Sequence, residues 1–469
     1  MSSERLGIVS YATYVPVGRL SGAELSAALG SGPSRGSRSL ASYDEDTTTM
    51  GVEAARHLLD ERAPGALYFA TTAPAYADKT NATAIHAALD LGHSGLAGDI
   101  VGSARGATLA LGAAEASAGI AVFSDLRSGR PGSGDERGGG DAAVAIRFGG
   151  GADAIATIIG RASTSAEFLD RWRTPGAFAS DLWEERFGQE VYLPLIAAAV
   201  GAALADAAVE AADHVVISCP HARVAAAATA AHGGDRAVVG RPIGYSGCAD
   251  AALKLSAALD IAKPSETILI VNAVDGADAF VFRVGGEPGA GRRGPALPSG
   301  DDPVRQVGYA TYLTWRGLIE RELPRRPEPD RPAGPPSARS EAWKFGFVGS
   351  ACDNCGRVHV PPKRVCTNCG ETDRMQRRRL AESRGRVATF TVDRLAYSPS
   401  PPMIDAVVDF DGGGRYTLEV TDAAPEAIAI GVEVAMTFRR LYTSGGVHNY
   451  FWKAKPVAAA DATAAAKEG

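Results

Sequence analysis

The sequence predicts an α/β fold of two similar halves, followed by a cysteine-rich metal module and a small β-barrel. Three observations support this order. Residues 1–286 alternate apolar strands with Ala- and Gly-rich helices, four of the six cysteines fall between residues 352 and 369, and short strands follow them. At roughly 150 residues per structural unit, a chain of 469 residues holds about three units.

The first region repeats a unit of helix, buried strand, turn and strand. Residues 143–150 (AVAIRFGG) are similar to residues 279–286 (AFVFRVGG). Each copy follows an apolar strand that ends in a glycine turn, at residues 120–129 and 268–276, and each of these strands follows a helix of small residues. Apolar strands between helices are typical of a sheet covered on both faces. The repeat therefore predicts two packed halves, with a boundary near residue 150.

The composition changes after residue 286. Residues 287–340 predict a linker with one amphipathic helix at about 307–321. Residues 321–340 hold six prolines with alternating charge, which favours extended backbone over a packed element. The Ala-rich residues 458–469 are expected to be a disordered tail.

The overall charge argues against several classes of partner. The chain has 48 basic and 54 acidic residues, a net charge of −6, and no long basic run, so a nucleic-acid partner is not expected. No apolar stretch of the ~18–20 residues needed to span a bilayer is evident, so no membrane association is expected. The first residues lack a basic region followed by an apolar core, and a cytoplasmic location is predicted.

Two Cys-x-x-Cys pairs, Cys352/Cys355 and Cys366/Cys369, are separated by ten residues. Each pair forms a tight knuckle, and two knuckles complete a tetrahedral site of four thiolates with no open position. A glycine directly follows each pair, where the turn needs permissive backbone. The spacing predicts a structural zinc ribbon over residues 341–379. An iron site of the rubredoxin type is the alternative, because it has the same ligands.

Short strands follow the ribbon, and an Asp-Gly-Gly-Gly turn at residues 411–414 separates two of them. This pattern predicts a small barrel over residues 380–457. The predicted strands are residues 385–394, 404–410, 415–420, 432–439 and 449–455. Ribbon and barrel together resemble the rubredoxin-like zinc-ribbon/OB-fold accessory proteins, which accompany thiolase-type enzymes as separate subunits.

Several segments of the first region resemble, in order, the HMG-CoA synthase and ketoacyl synthase III branch of the thiolase superfamily. These segments are residues 7–16, 44–59, 69–72, 78–81 and 168–173. The resemblance covers about residues 4–286. It implies a duplicated five-layered αβαβα fold, acyl-CoA as the ligand and a homodimer formed through the thiolase-like domain.

The resemblance also shows what this chain lacks. The condensing enzymes of the branch use a cysteine nucleophile at the start of a buried helix. Aligned on residues 106–108, that position is Ala104, and no cysteine lies within residues 1–218. A shift of one residue would place Ser103 there. The glutamate base of HMG-CoA synthases is replaced by Thr72 or a neighbour, so ordinary HMG-CoA synthesis is not expected.

His221 follows a buried strand at the position of the family's catalytic histidine. Cys219, two residues earlier, is expected in the core. Coenzyme A carries phosphates that bind arginine, and Arg105 and Arg223 are the candidates for this contact.

The last catalytic loop of the family, residues 240–249 here, has no asparagine for an oxyanion hole. Its polar candidates are Tyr245, Ser246 and Cys248. Cys248 begins a predicted helix, which favours a thiolate. The glycine-rich residues 125–141 lack the spacing of a phosphate loop, and the resemblance implies a hairpin near the dimer interface instead.

The sequence thus predicts an acyl-CoA-handling enzyme that makes or breaks a C–C bond without the usual cysteine. Thiolase-like aldolases that act with zinc-ribbon/OB partners use a tyrosine as acid or base, so the resemblance favours aldol or retro-aldol chemistry with Tyr245 and His221. Two alternatives stay open. One is HMG-CoA synthase-like acyl transfer through Ser103 or Cys248, and the other is a non-catalytic CoA-binding scaffold for a partner thiolase.

Overall fold

The computed structural model describes residues 6–32, 36–59, 64–236, 243–298, 304–322, 324 and 326–457. The predicted tail and residues 240–242 of the predicted catalytic loop lie outside the described residues. The chain forms two compact units, whose ranges are Met1–Ala41, Asp46–Ile85 and His93–Tyr309 for the first, and Ser42–Glu45, His86–Gly92 and Ala310–Gly469 for the second.

The first unit contains the α/β repeat. Its strands are β1 (Gly7–Tyr14), β2 (Gly18–Ser21), β3 (Ser37–Leu40), β4 (Ala66–Thr71), β5 (Leu96–Val101), β6 (Ile120–Asp125), β7 (Ala142–Gly149), β8 (Ala156–Ser165), β9 (Arg171–Trp172), β10 (Asp181–Leu182), β11 (His214–Ser218), β12 (Thr267–Asn272), β13 (Gly276–Val284) and β14 (Arg305–Gln306). The helices before residue 260 are α1 (Gly22–Leu29), α2 (Thr47–Ala55), α3 (Ala82–Ala88), α4 (Gly106–Ser117), α5 (Gly134–Gly138), α6 (Glu185–Asp206), α7 (Ala222–Ala228) and α8 (Cys248–Leu259).

Nine strands form one mixed sheet in the order β11-β12-β13-β8-β1-β7-β6-β4-β5. The halves join where Ile8 of β1 pairs with Ala156 of β8. Outward from this junction, β1-β7-β6-β4 in the first half matches β8-β13-β12-β11 in the second. The hairpins β6–β7 and β12–β13 are antiparallel, and each follows a twelve-residue helix, α4 or α8. The predicted duplication is therefore confirmed.

The two repeated helices, α4 and α8, contact each other in the apolar core. Small side chains on both helices, among them Ala107, Ala110, Ala249 and Ala252, are buried in this cluster. Small residues allow a close approach of two helices and a dense interior. The Ala-rich composition of the first region therefore reflects this packing.

One helix, α6, is long and apolar enough to cross a membrane, judged by length and composition alone over Arg186–Asp206. The expectation that no stretch reaches this length was therefore wrong. The apolar side chains Tyr192, Ile196, Ala199 and Val200 are buried in a core cluster with residues of β11, β12 and β13. A third of the apolar window is buried in this way.

The second unit contains a three-stranded ribbon and a five-stranded sheet. Its strands are β15 (Val348–Cys352), β16 (Val358–His359), β17 (Met375–Arg379), β18 (Arg384–Asp393), β19 (Met403–Phe410), β20 (Arg415–Glu419), β21 (Glu433–Ser444) and β22 (Val447–Pro456). The sheet order is β20-β19-β18-β21-β22, and a bridge between Val420 and Ala454 joins its two ends. The predicted barrel is confirmed. Its last hairpin is longer than expected, because β21 and β22 pair up to Ser444 and Val447.

The helices near the linker differ from the prediction. They are α9 (Tyr309–Trp315), α10 (Gly334–Arg339) and α11 (Glu341–Lys344). The first is shorter than predicted because Gly317, with a φ of +68°, turns the chain out of the helix. The second lies within the stretch predicted to be extended. Prolines occupy its first turn, where their missing N–H costs no hydrogen bond.

The second unit also contains a buried group of charges. Asp44, Arg439 and Lys453 are fully buried. The Lys453 Nζ lies 3.0 Å from Asp44 Oδ2, and Thr421 Oγ1 donates to the same oxygen at 2.8 Å. The Arg439 guanidinium contacts Glu45 at 2.5 Å and lies 3.7 Å from Asp44 Oδ1. Burial alone would raise the pKa of Asp44, but Lys453 and Arg439 outweigh it and lower this pKa to about 2.

We expect the second unit to lose stability between about pH 4 and pH 2, because the pKa of Asp44 is depressed on folding. The stabilisation is present above the unfolded pKa near 3.8 and is lost as the pH falls through the folded value. The pKa difference corresponds to about 2 kcal/mol. The free energy of unfolding is measured from pH 2 to 7 by urea titration, with tryptophan fluorescence as the signal. Asp409→Asn is the matched control, because Asp409 pairs with Arg415 at the surface. An acid dependence that Asp44→Asn leaves unchanged would contradict the assignment.

Candidate functional site

The candidate site lies where the loops after β4 and β6 meet the segment that precedes α8. Thr72 follows β4, Arg127 follows β6 and Tyr245 precedes α8. Because β4 and β6 are parallel neighbours, their following loops lie at the same edge of the sheet. The Arg127 guanidinium lies 5.4 Å from the centre of the Tyr245 ring, and its Nη1 donates to Thr72 Oγ1 at 3.3 Å.

The Tyr245 backbone is held by the residues after α5. Its N–H donates to the carbonyl of Gly138 at 2.8 Å, and its carbonyl accepts from Gly140 at 3.0 Å. The phenol oxygen is buried, and no described residue forms a hydrogen bond with it. Burial raises the pKa of Tyr245 well above 10, although the nearby Arg127 opposes the rise. The phenol therefore stays protonated and presents an unused O–H donor.

His221 forms a pair with Asp170. The histidine follows β11 and precedes α7, as the sequence predicted, and both side chains are buried. The Nε2 of His221 contacts Asp170 Oδ2, while the other carboxylate oxygen has no partner among the described residues. With Asp170 accepting from Nε2, the second ring nitrogen is the one left as a proton acceptor.

Arg171 interacts electrostatically with both Asp170 and Tyr245. It binds Asp135 with two hydrogen bonds of 2.6 and 2.7 Å, and its Nε has no partner among the described residues. Burial opposes the charge of Arg171, but Asp135, Tyr245 and Asp170 outweigh it and raise its pKa. Buried polar groups are almost always paired in native proteins. Unpartnered atoms on Asp170, Arg171 and Tyr245 therefore indicate a site that receives a polar ligand.

The Asp125 carboxylate shapes the environment of Cys248. One oxygen accepts from Thr71 and Thr72, and the other accepts from the Cys248 backbone N–H at 2.8 Å. Gly247, with a φ of +54°, is required there because a Cβ would lie 1.9 Å from this carboxylate. Burial, then Asp125, raises the pKa of Cys248 well above 9. The expectation that the helix start favours a thiolate is thus wrong, because a carboxylate already occupies that position.

Ser103 and Arg105 lie on an open groove of about 490 Å³. The Ser103 hydroxyl donates to Asp275 at 2.9 Å. The Arg105 guanidinium binds both oxygens of Asp278 and the carbonyls of Thr164 and Asp275, which uses four of its five donors. These contacts hold Arg105 in place and leave it little capacity for a phosphate. Its predicted role in CoA binding therefore gains no support from the structure.

The remaining predicted residues differ in solvent exposure: one is exposed and the others are buried. Arg223 is exposed in the first turn of α7, which suits a role at the mouth of a site. Cys219 is buried as expected, and burial raises its pKa to about 12. Ser246 is buried, with its hydroxyl donating to the Gly244 carbonyl at 3.1 Å. Ala104, which the resemblance predicts at the position of the family cysteine, is buried in the apolar core.

The four cysteines of the ribbon converge on one point. The Sγ atoms of Cys352 and Cys369 lie 3.6 Å apart, those of Cys355 and Cys366 lie 3.5 Å apart, and all four fall within 4.8 Å of one another. With a Zn–S distance of about 2.3 Å, the sulfurs of a tetrahedral site lie about 3.8 Å apart. The donor set therefore fits a structural zinc ion with four thiolates.

Sequence reasoning missed several residues of the site. Arg127 and Asp135 lie in the loop interpreted as a hairpin at a dimer interface, but that loop contains α5 and contacts Tyr245. Asp170, Arg171 and Arg173 belong to a segment that the resemblance had already marked. Its three charged residues within four positions were the available signal, but the sequence did not show which residues they face.

Two family models match the C-terminal part of the chain. The model of the ChsH2 rubredoxin-like zinc ribbon domain matches residues 346–373, and that of the ChsH2 C-terminal OB-fold domain matches residues 378–439. Over 119 residues the chain is 30% identical to a DUF35 domain-containing scaffold protein from Methanocaldococcus jannaschii, which covers 24% of this chain and 84% of that protein.

The N-terminal part has different relatives. Over 357 residues the chain is 28% identical to a hydroxymethylglutaryl-CoA synthase from Pyrobaculum arsenaticum, covering 67% of this chain and 99% of the relative. A crystal structure of an HMG-CoA synthase complexed with CoA superposes with a TM-score of 0.60 and 15% identity, over 71% of this chain and 96% of the other. This structural similarity shows that the N-terminal part has the same fold as that structure.

These findings define a protein that joins a thiolase-like α/β fold to a zinc ribbon and an OB-fold barrel in one chain. The predictions of the fold, the zinc ribbon and the barrel are confirmed. The chain belongs to the family of DUF35 domain-containing proteins through its C-terminal part, and its N-terminal part is homologous to the hydroxymethylglutaryl-CoA synthases.

Proposed function

We propose that this protein is an acyl-CoA-handling enzyme that breaks or makes a C–C bond of a β-hydroxyacyl-CoA by aldol chemistry. One observation carries the proposal. The phenol of Tyr245 is a buried O–H donor beside Arg127 with no partner in the described part of the chain, in a fold whose nucleophile position holds Ala104. Retro-aldol cleavage needs proton transfer and a stabilised enolate, but it needs no acyl-enzyme.

The retro-aldol direction assigns a role to each group. The second ring nitrogen of His221, oriented by Asp170, accepts the proton of the β-hydroxyl. The bond between Cα and Cβ breaks, and its electron pair forms an enolate on the thioester. Tyr245 and Arg127 stabilise the enolate oxygen, and a proton then returns to Cα. The products are a carbonyl compound and a shorter acyl-CoA, so no oxidant or reductant is consumed.

Acyl transfer through Ser103 or Cys248 receives less support. The thiol of Cys248 is buried, and its raised pKa disfavours the thiolate that attacks a thioester. Ser103 is exposed and bound to Asp275, and its hydroxyl forms no hydrogen bond with a histidine among the described residues. A nucleophilic serine requires an adjacent base.

A non-catalytic scaffold is the second candidate function. The observation in its favour is the scaffold description of the relative that matches the C-terminal part. In that case the zinc ribbon and barrel would recruit a partner thiolase. The unpartnered polar atoms around Tyr245 favour catalysis instead, because a purely structural site gains stability from apolar side chains at those positions.

A cytoplasmic homodimer remains part of the proposal. The outer edge of β5 pairs with no described strand, and Leu96, Val101 and Leu109 beside it are 57%, 51% and 63% exposed. Apolar side chains along a free sheet edge are typical of a surface that pairs with another chain.

The test is incubation with a panel of 3-hydroxyacyl-CoAs, with acyl-CoA, free CoA and carbonyl products followed by chromatography and intact protein mass. We expect a carbonyl compound and a shorter acyl-CoA in equal amounts, with no protein adduct. An acyl adduct on Ser103 or Cys248 would establish acyl transfer instead. Binding of the panel without turnover would establish the scaffold.

A further inference from the structure

The second unit is assembled from separate parts of the chain. Most of it is Ala310–Gly469, but the short segments Ser42–Glu45 and His86–Gly92 also belong to it. The side chains of Ser42–Glu45 contact three strands of the barrel, β20, β21 and β22. A segment of four residues has no core of its own, so the groups that bind it must fix its place.

Two buried cations of the barrel bind the acidic side chains of this segment. The Lys453 Nζ lies 3.0 Å from an oxygen of Asp44, and the Arg439 guanidinium lies 2.5 Å from an oxygen of Glu45. Both cations are fully buried, and Asp44 and Glu45 are 0% and 3% exposed. Loss of one partner from a buried ion pair is strongly destabilising, because the other charge stays desolvated. These contacts therefore couple the segment tightly to β21 and β22.

The barrel also binds the backbone of the segment. The Arg440 N–H donates to the Asp44 carbonyl at 2.9 Å, and the Arg440 guanidinium donates to the Tyr43 carbonyl at 2.7 Å. The Tyr43 phenol donates to Glu419 at 2.9 Å, and the Lys453 Nζ lies 5.1 Å from the centre of its ring. Main-chain hydrogen bonds combined with side-chain contacts are the usual means by which a protein binds a peptide segment.

The segment stabilises its own turn. The Ser42 N–H donates to a carboxylate oxygen of Glu45 at 2.7 Å, and the Glu45 N–H donates to the Ser42 carbonyl at 3.1 Å. A ligand that is already held in its bound conformation loses less entropy on binding. The turn therefore presents two adjacent carboxylates in the arrangement that the barrel binds.

We propose that the barrel is a receptor for an acidic turn of sequence Tyr-Asp-Glu, and that residues 43–45 are its resident ligand. The partner that such a site fits is a protein segment with two adjacent carboxylates after an aromatic residue. In this chain the contact itself, and not only the covalent linker of residues 321–340, keeps the ribbon and barrel bound to the earlier part of the sequence. This inference does not depend on the proposed function.

The test uses the whole chain with a protease site inserted between Asp330 and Arg331, which are both exposed. The chain is folded first and then cleaved. We expect the fragment of residues 331–469 to stay bound to the fragment of residues 1–330 in gel filtration at micromolar concentration. Asp44→Asn combined with Glu45→Gln should weaken this association by about 10²-fold or more, because two buried cations lose carboxylate partners.

Asp90→Asn is the matched control. Asp90 also belongs to a short early segment of the second unit, but it pairs at 2.6 Å with Arg377, whose side chain is 64% exposed. Exposed ion pairs contribute little, so this variant should keep the association within about fivefold of the wild type.

A double-mutant cycle tests whether the two partners act on each other. Asp44→Asn and Lys453→Met should each weaken the association of the fragments. The two together should weaken it by at least about tenfold less than the product of the single effects, since each change removes the same ion pair. Independent effects that multiply would overturn the assignment of Lys453 as the receptor for Asp44.

Two further results would overturn the proposal, and both use the unmodified site, so they stand even if a variant fails to fold. The first is separation of the cleaved wild-type chain into free fragments. The second concerns a peptide of residues 39–49, which at millimolar concentration should release the fragment of residues 331–469 from the cleaved wild type. The same peptide carrying Asp44→Asn and Glu45→Gln should not release it. Equal action of the two peptides, or no action by either, would show that the acidic turn is not the ligand.

Discussion

Tyr245→Phe is expected to lower turnover of a 3-hydroxyacyl-CoA by about 10²–10³-fold, the usual contribution of a hydrogen-bond donor that stabilises a developing oxyanion. The same change should leave the melting temperature unchanged or raise it by roughly 1–3 °C. The physical reason is that the phenol O–H is buried and none of the residues that the structure describes forms a hydrogen bond with it, so its removal ends a desolvation cost.

This opposite response of activity and stability separates a catalytic tyrosine from a structural one. Tyr11→Phe is the matched control, because the buried Tyr11 hydroxyl donates to Asp260 at 2.5 Å. Its removal should lower the melting temperature by a few degrees and leave turnover within about twofold of the wild type. Steady-state kinetics and differential scanning calorimetry on the three proteins measure both effects.

Two results would contradict the role of Tyr245. Turnover within about threefold of the wild type would show that the phenol does not stabilise the enolate oxygen in the slow step. A large fall in melting temperature would show a hidden structural bond, and the loss of activity would then carry no mechanistic meaning. Substrate affinity should change little, because the phenol acts on charge that develops during the reaction.

Removal of zinc is expected to have the largest effect on stability. Zinc binding to four thiolates contributes on the order of 10 kcal/mol or more to the folding of a small domain. Cys366→Ser, or a strong chelator, should therefore unfold the ribbon, whose sheet has only the three strands β15, β16 and β17 among the described residues. Hydrogen exchange over residues 346–379 should rise to the rate of an unfolded segment.

Metal analysis of the purified protein tests the same prediction directly. We expect about one zinc per chain in the wild type and less than a tenth of that in Cys366→Ser. Cys219→Ala is the control, because Cys219 is buried in the first unit and lies outside the group of four cysteines. Iron in place of zinc would refute the identity of the metal, and protection of the ribbon in metal-free protein would refute its structural role.

The candidate site was only partly predictable from the sequence. His221 and Tyr245 were predicted because the resemblance places each in a segment that corresponds to a catalytic segment of the family. Arg127 was not found, since its importance depends on contacts with Thr72 and Tyr245, which lie 55 and 118 positions away in the chain. Arg105 was predicted to bind a phosphate because of its positive charge. In the structure, Asp278 and two backbone carbonyls already accept hydrogen bonds from its guanidinium.

What the sequence determined by itself are the features that local pattern and spacing encode. The duplicated halves follow from repeated apolar strands, and the metal ligands follow from two Cys-x-x-Cys pairs. The tertiary structure determined the pKa shifts and the hydrogen bonds of the buried groups. Cys248 begins a helix, yet its thiol has a raised pKa because burial removes its hydration and Asp125, 123 residues away, binds the helix start. The pKa of a buried group depends on its desolvation and on the charges near it. Both are set by residues that are distant in the chain and that only folding brings into contact, so the local sequence pattern does not predict them.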